Sequence, residues 1–139
     1  MVQIKAGDRL KSPKQDVSFI THHAIFVGVV NGENHVVENQ INVGVRLIPL
    51  DIFLRDHPNC QIEVFSGSEN QRQEVVIRAL DSLGKKYKLL HYNCETFAND
   101  VQYGVQESHQ VKTGLKIAGS LALTTFGMFL INKFSNRDE

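Results

Sequence analysis

The first half of the chain alternates short apolar and polar runs, whereas the second half follows the period of a helix. Residues 19–30 are dense in β-branched and aromatic side chains, which favours a strand. Asn31-Gly32 is a strong hairpin signal, so residues 35–38 are predicted to return as the next strand. Further strands are predicted at 4–10, 43–50 and 61–65. The first half therefore predicts an antiparallel sheet of four to five strands.

Two helices are predicted in the second half, and the first of them is amphipathic. One apolar stripe recurs at helical spacing, at Val75, Val76, Ala79, Leu80 and Leu83. Ser68 and Gln71 form a capping-box pattern ahead of it, and Gly84 is a stop signal behind it. A second helix is predicted from Glu95 to Val105. Strands followed by helices indicate an α+β domain in which the sheet packs on helices.

Composition narrows the class of protein. Among 139 residues, 42% are hydrophobic and 22% are charged, which is typical of a globular chain. Lys+Arg and Asp+Glu each number 15, so we expect no nucleic-acid partner. Cys60 and Cys94 show neither a disulfide framework nor a metal-ligand spacing, and we expect no metal and no cofactor. The first residues contain no apolar signal segment, so we expect a cytoplasmic and not a secreted protein.

Cys94 occupies the predicted start of the second helix, with Asn93 as a suitable cap. The unpaired backbone N–H groups and the helix dipole there favour a thiolate. The same N–H groups can donate to an oxyanion when a carbonyl is attacked. A nucleophilic cysteine also needs an imidazole, which can be remote in the sequence. With six histidines in the chain, the residues alone leave that partner open, and they also leave open an inert, buried cysteine.

Four ordered motifs carry a family resemblance. They are Gly7-Asp8, His22-His23-Ala24-Ile25-Phe26-Val27-Gly28, Asn93-Cys94-Glu95-Thr96-Phe97-Ala98, and Gly104 followed by Ser108-His109-Gln110-Val111. They resemble the G-D, H-x-x-I-Y-V-G, N-C-E-H-F-A and G…S-x-Q-V elements of the lecithin retinol acyltransferase-like (LRAT-like) proteins. The resemblance covers about residues 5–112. It implies a circularly permuted papain-like fold of the NlpC type, in which the histidine precedes the cysteine.

Carried over residue by residue, the resemblance implies that Cys94 is the nucleophile and His22 the base. The family usually has a third histidine after an apolar pair on the returning strand, and the aligned residue here is Glu38. We favour Glu38 as the third catalytic residue because a carboxylate can orient an imidazole. His35, which precedes the apolar pair, is the rival. Thr96 stands where the family often has histidine, and we expect this change to affect substrate contacts more than chemistry.

The resemblance also implies acyl transfer, in which an ester acyl group passes to the cysteine and then to water, an amine or an alcohol. We therefore expect a thiol-dependent acyltransferase or phospholipase acting on lipid esters. Two alternatives stay open. One is an NlpC-type cysteine amidase or peptidase, and the other is a non-catalytic, membrane-tethered interaction module.

The C-terminal stretch from Ile117 to Ile131 contains no charged residue. Fifteen helical residues span about 22 Å, which is short of the ~30 Å hydrocarbon core. Extending the helix to residues 114–134 makes a single membrane span feasible, and a buried or partner-bound helix is the alternative. We expect a catalytic domain at 1–112 and an apolar helix in a tail at 113–139. Such a tail would hold the domain on the cytoplasmic face of a membrane.

Overall fold

The computed structural model of the protein describes residues 3–14 and 17–116. The strands in these ranges are β1 (Arg9–Lys14), β2 (Val17–Val30), β3 (Glu33–Gln40), β4 (Gly44–Pro49) and β5 (Gln61–Glu63). Three helices of the same region are α1 (Leu50–Asp56), α2 (Glu69–Asp81) and α3 (Cys94–Tyr103), and residues 109–116 are also helical. The strands form one antiparallel sheet in the order β4-β3-β2-β1-β5. The prediction of an α+β domain with an antiparallel sheet is thus confirmed.

The sheet is covered on both faces, and the alternation of β2 decides which side chain goes to which face. Ile25 of β2 belongs to the core that α2 and α3 complete, whereas Ala24 belongs to the core that contains Phe53 of α1. Successive side chains of a strand point to opposite faces, so His22 shares the face of Ala24. Glu38 of β3 is paired directly with Ala24 and therefore lies on the same face. The sheet thus directs His22 and Glu38 to the α1 side.

A buried ion pair joins the turn before β1 to α2. The Nη1 of Arg72 donates to the Oδ1 of Asp8 at 2.7 Å. The same carboxylate accepts from the backbone N–H groups of Phe65 at 2.9 Å and Lys5 at 2.8 Å. Burial raises the pKa of Asp8, but these hydrogen bonds and the charge of Arg72 outweigh it, and the pKa is lowered. The aspartate of the opening G-D motif therefore has a structural role at this corner.

The beginning of the first strand differs from the prediction. Residues 4–10 were expected to be extended, but β1 begins only at Arg9. The preceding residues form a turn in which Asp8 accepts from the N–H of Lys5, and Gly7 adopts a φ of 92°. A positive φ of this kind ends regular strand geometry and suits glycine. The turn therefore delays the strand.

The uncharged stretch at residues 117–131 lies outside the described residues, as does most of the tail predicted at 113–139. A second unit of the chain begins at His109, and its described part, residues 109–116, is helical. Within residues 3–14 and 17–116, no helix has the length and apolar character needed to cross a membrane. The membrane-anchoring role of the tail stays a prediction.

Candidate active site

Cys94 is the first residue of α3, and Asn93 caps this helix. The Oδ1 of Asn93 accepts from the N–H of Glu95 at 3.0 Å and from the N–H of Thr96 at 2.9 Å. Its Nδ2 donates to the carbonyl oxygen of Leu89 at 3.0 Å, which ties the preceding loop to the helix start. The predicted cap is confirmed, and the thiol lies in the first turn, where the helix dipole favours an anion.

Thr96 belongs to the same cap. Its side chain is buried, at 1% exposure, and its hydroxyl donates to the Oδ1 of Asn93 at 3.1 Å. A side chain enclosed in this way does not face a substrate from solvent. The structure gives the threonine a role in stabilising the start of α3, and its effect on substrate contacts stays a prediction.

The backbone donors of the first turn are mostly occupied by the cap. Glu95 and Thr96 donate to the side chain of Asn93, and Phe97 donates to the carbonyl oxygen of Asn93 at 2.9 Å. Among the first-turn donors that the structure describes, the N–H of Cys94 takes part in none of these bonds. This N–H adjoins the sulfur and is the group that can donate to an oxyanion formed on the attacked carbonyl. The sequence predicts several oxyanion donors at this helix start, whereas the structure leaves one from this helix, the N–H of Cys94.

His22 lies on β2, is buried, and contacts both other predicted site residues. Its Nε2 shares a hydrogen bond of 2.5 Å with the Oε2 of Glu38. The sulfur of Cys94 lies 3.7 Å from the carbonyl oxygen of Thr21, the residue before His22, and it is near enough to the imidazole to raise the pKa of His22. Since Nε2 is engaged by Glu38, Nδ1 is the nitrogen left for the thiol. Burial lowers the pKa of His22, but the hydrogen bonds and charges of Cys94 and Glu38 outweigh it and raise the pKa to about 9. The imidazole therefore holds a proton at neutral pH.

Glu38 is fully buried and is bonded through both carboxylate oxygens. While Oε2 contacts His22, Oε1 accepts from the Nη2 of Arg46 at 2.7 Å and from its Nε at 2.9 Å. Burial raises the pKa of Glu38, but the bonds and charges of His22 and Arg46 outweigh it, and the pKa is lowered. The carboxylate is therefore ionised beside the imidazole that it orients.

Sequence reasoning missed Arg46. This residue faces Glu38 directly in the pairing of β3 with β4. Opposite charges on directly paired residues of adjacent strands attract one another. The predicted strand at 43–50 already contained this arginine, and assigning the register of the pair would have brought it to Glu38.

His35 and His23 have different surroundings from His22. The Nδ1 of His35 hydrogen-bonds the carbonyl oxygen of Glu33 at 2.9 Å in the hairpin, so Glu38 and not the rival His35 lies beside His22. His23 is buried, and burial first and the charge of Arg9 second lower the pKa of His23 to about 4. His23 is consequently neutral at pH 7, and Cys94 is among the groups that raise the pKa of His22 and not of His23.

Two aromatic rings contact His22 from the α1 side. The ring of His57 stacks on that of His22 with centroids 5.0 Å apart, and the ring of Phe53 lies 6.0 Å away. Stacking on both limits the ways in which the imidazole can turn. Sequence reasoning gave His57 no role, because no spacing rule links the end of α1 to the middle of β2.

The side chains of His22, Glu38 and His57 offer ligand atoms within 4.8 Å of one another, a spacing that a metal ion could bridge. The guanidinium of Arg46 already supplies a positive charge to the Glu38 carboxylate. A divalent cation at the same place would be repelled by that charge. His22 and Glu38 therefore fit a catalytic triad with Cys94 better than they fit a metal centre.

Comparison with known proteins identifies the family of this domain. Residues 3–111 match a family described as permuted papain-like amidase enzymes, YaeF/YiiX, the C92 family. Phospholipase A and acyltransferase 3 from Pongo abelii is 32% identical over 68 residues. That alignment covers 48% of this chain and 42% of the relative, so the chain spans less than half of the relative's length. The two matches confirm the LRAT-like, permuted papain-like domain that the motifs predict.

Proposed function

We propose an acyl-transfer reaction for this chain, which belongs to the family of permuted papain-like amidase enzymes (YaeF/YiiX, C92). In this reaction the acyl group of a lipid ester passes through a thioester on Cys94. Membership of this family supports thiol-dependent acyl-transfer or amidase-type chemistry. The observation that carries the assignment of residues is the continuous line of contacts from Cys94 through His22 and Glu38 to Arg46. The lipid ester is favoured by the similarity to a phospholipase A and acyltransferase.

The first half of the reaction forms the thioester. The proton shared by Cys94 and His22 rests on the imidazole, so the sulfur attacks the ester carbonyl carbon as a thiolate while the carbonyl oxygen takes the electron pair. The backbone N–H of Cys94 donates to this oxyanion. When the intermediate collapses, the C–O bond breaks and the departing alkoxide takes the proton from His22. Glu38 stabilises the cationic imidazole throughout by accepting from Nε2.

The second half returns the enzyme to its starting state. A water, amine or alcohol loses its proton to His22 as it attacks the thioester carbonyl. The carbon–sulfur bond breaks, and the sulfur of Cys94 leaves as a thiolate beside the imidazole, which keeps the proton it gained from the acceptor. With water the product is a free fatty acid, and with an amine or alcohol it is a new amide or ester.

An amidase is the second candidate, and the description of the family itself favours it. The same residues could cleave an amide, because His22 holds the proton that a departing amine requires. The two candidates differ in the leaving group and not in the nucleophile. A choice of substrates therefore separates them.

The test is to incubate the full chain with a panel of phospholipids and, separately, with N-acyl amides and peptide amides. Products are quantified by mass spectrometry, and the intact protein is examined for an acyl adduct on Cys94. Fatty acid release with an adduct that Cys94→Ala abolishes supports the lipid ester. Cys60→Ala is the matched control, since Cys60 is the other free cysteine of the described residues. Turnover of amides alone favours the amidase, and inertness toward both panels with an unreactive Cys94 overturns both candidates.

A further inference from the structure

We propose that the loop before the nucleophile and the turn between β3 and β4 form a surface that docks on an anionic lipid membrane. The proposal rests on the proposed function and deepens it, because it states that the protein binds its ester substrate within a lipid membrane. We refer to this surface as the docking face. Its members are Ile41, Val43, Lys86, Lys88, Leu89 and Leu90.

The apolar members of the docking face are unusually exposed. Leu89 is 64% exposed and Leu90 53%, while Val43 is 61% and Ile41 47% exposed. Single exposed apolar side chains are common on soluble proteins and need no explanation. Four of them on two adjoining segments form a patch, and such patches mark sites that bind another surface.

Backbone hydrogen bonds hold the two segments side by side. The N–H of Val45 donates to the carbonyl oxygen of Lys85 at 2.9 Å, and the N–H of Gly84 donates to the carbonyl oxygen of Val45 at 2.9 Å. Gly44 permits this approach, because a Cβ there would collide with the carbonyl oxygen of Lys85. The side chain of Asn39 adds a bond to the carbonyl oxygen of Tyr92 at 2.7 Å. The turn and the loop therefore lie next to each other in the fold.

The charge of this surface indicates what it binds. Residues 84–92 contain three lysines and no acidic residue, and residues 39–44 contain no charge, although the whole chain has 15 basic and 15 acidic residues. Lys86 and Lys88 are exposed next to the two leucines. Apolar side chains that can enter the acyl region, flanked by lysines that attract anionic headgroups, are the combination used at membrane interfaces. We therefore commit to an anionic lipid surface as the occupant.

The docking face leads directly to the nucleophile. Lys88 and Tyr92 exchange two backbone hydrogen bonds, of 3.0 and 2.8 Å, which close the loop and leave Leu89 and Leu90 between them. The carbonyl oxygen of Leu89 accepts from Asn93, the residue that caps the helix of Cys94. A membrane that takes up these leucines would bring its ester groups close to the thiol.

The chain contains no tryptophan, so Leu90→Trp introduces a single fluorescent reporter at the docking face. The experiment uses the full chain with Cys94→Ala, which prevents turnover during the measurement. Vesicles of phosphatidylcholine are compared with vesicles that also contain phosphatidylglycerol, with and without brominated acyl chains. The matched control is Ile77→Trp, because Ile77 of α2 is 57% exposed and lies outside the docking face.

We expect a blue shift and quenching by brominated chains for the Leu90→Trp protein on anionic vesicles, and neither change for the Ile77→Trp protein. In the same background, Lys86→Gln with Lys88→Gln should weaken anionic-vesicle partitioning by roughly fivefold or more per lysine. The control pair Lys5→Gln with Arg55→Gln should leave it within roughly twofold.

Three results would overturn the docking face. The first is an unshifted spectrum of the Leu90→Trp protein on anionic vesicles, and the second is an equal shift at both tryptophan positions. The third is a spectrum that is already blue-shifted without vesicles, which would indicate that the chain itself or another copy covers the leucines.

Failure of docking is separable from failure of the proposed function. A protein that turns over a soluble short-chain ester but does not dock loses only the docking face, whereas a protein that docks but forms no adduct on Cys94 loses only the enzymatic proposal.

Discussion

Glu38 and His22 are joined by a 2.5 Å hydrogen bond between Oε2 and Nε2, although sixteen residues separate them in the chain. The β2–β3 pairing brings them together, because Glu38 faces Ala24, two residues after His22. A buried carboxylate is costly unless it is paired and hydrogen-bonded. Here His22 and Arg46 satisfy one oxygen each. The carboxylate that replaces the family's usual imidazole is therefore accompanied by its own counter-charge on β4.

Replacing Glu38 by Gln should lower kcat/KM by roughly 10²- to 10⁴-fold, the range found when the residue that orients a catalytic imidazole is removed. Because the charge of Glu38 also raises the pKa of His22, the alkaline limb of the activity profile should move to lower pH. The measurement is kcat/KM between pH 6 and 10. Glu33→Gln, an exposed glutamate of the same strand, is the control and should behave as wild type. An unchanged rate and profile for Glu38→Gln would remove Glu38 from the mechanism.

The free energy of unfolding should be highest at about pH 6.5, because His22 stabilises the folded state less above this pH and His23 destabilises it below this pH. His22 has a folded-state pKa of about 9 against an ordinary value of 6.5, so its stabilisation is complete below about 6.5 and is lost as pH rises through 9. His23 has a folded-state pKa of about 4, so between 6.5 and 4 the unfolded chain binds more protons and stability falls as pH falls. The lowered pKa of Glu38 continues the loss on the acid side.

The check is chemical denaturation at pH 5, 6.5 and 9. Between pH 6.5 and 9 we expect a loss of about 1–3 kcal/mol, a magnitude set by the size of the pKa shift of His22. His22→Gln should flatten this alkaline limb, and His23→Gln should flatten the acid limb. An alkaline limb that stays equally steep in His22→Gln would assign it to another group.

Much of the fold could be predicted from local signals. The hairpin at Asn31-Gly32, the capping box of Ser68 and Gln71, and the Asn93 cap are all present, because each depends on residues a few positions apart. The left-handed Gly104 caps α3, so the helix ends at Tyr103, two residues before the predicted Val105. Local chemistry decides such features before tertiary packing acts on them.

The environment of the candidate site was less predictable. Stacking of His57 on His22 depends on where α1 crosses the sheet. The pKa of His22 is raised and that of His23 is lowered, because the two side chains lie on opposite faces of the sheet. These properties arise from contacts between elements that the sequence pattern does not place relative to one another.

Two variants of Asn93 should distinguish its effect on the stability of α3 from its effect on the position of the nucleophile. Asn93→Ala removes the acceptor for two backbone N–H groups and should cost about 1 kcal/mol of the free energy of unfolding. Asn93→Asp keeps an acceptor but loses the bond to the carbonyl oxygen of Leu89, so it should retain stability and lose turnover. Ser68→Ala, at the cap of α2, is the control: a similar loss of stability is expected with unchanged kcat/KM. Equal turnover by Asn93→Asp and wild type would show that the bond to Leu89 does not position the nucleophile.

The ion pair of Asp8 and Arg72 should matter for stability and not for chemistry, because its described partners lie in the turn before β1, at Phe65 and in α2. Removing one member leaves the other charge buried, so Asp8→Asn and Arg72→Met should each cost about 3–5 kcal/mol. The double variant should cost clearly less than the sum of the two, since neither charge is then left alone. The measurement is urea denaturation of the four proteins, with alkylation of Cys94 by iodoacetamide recorded at a temperature at which all four are folded. Additive losses would contradict a direct pair, and a changed alkylation rate in the folded variants would connect this corner to the nucleophile after all.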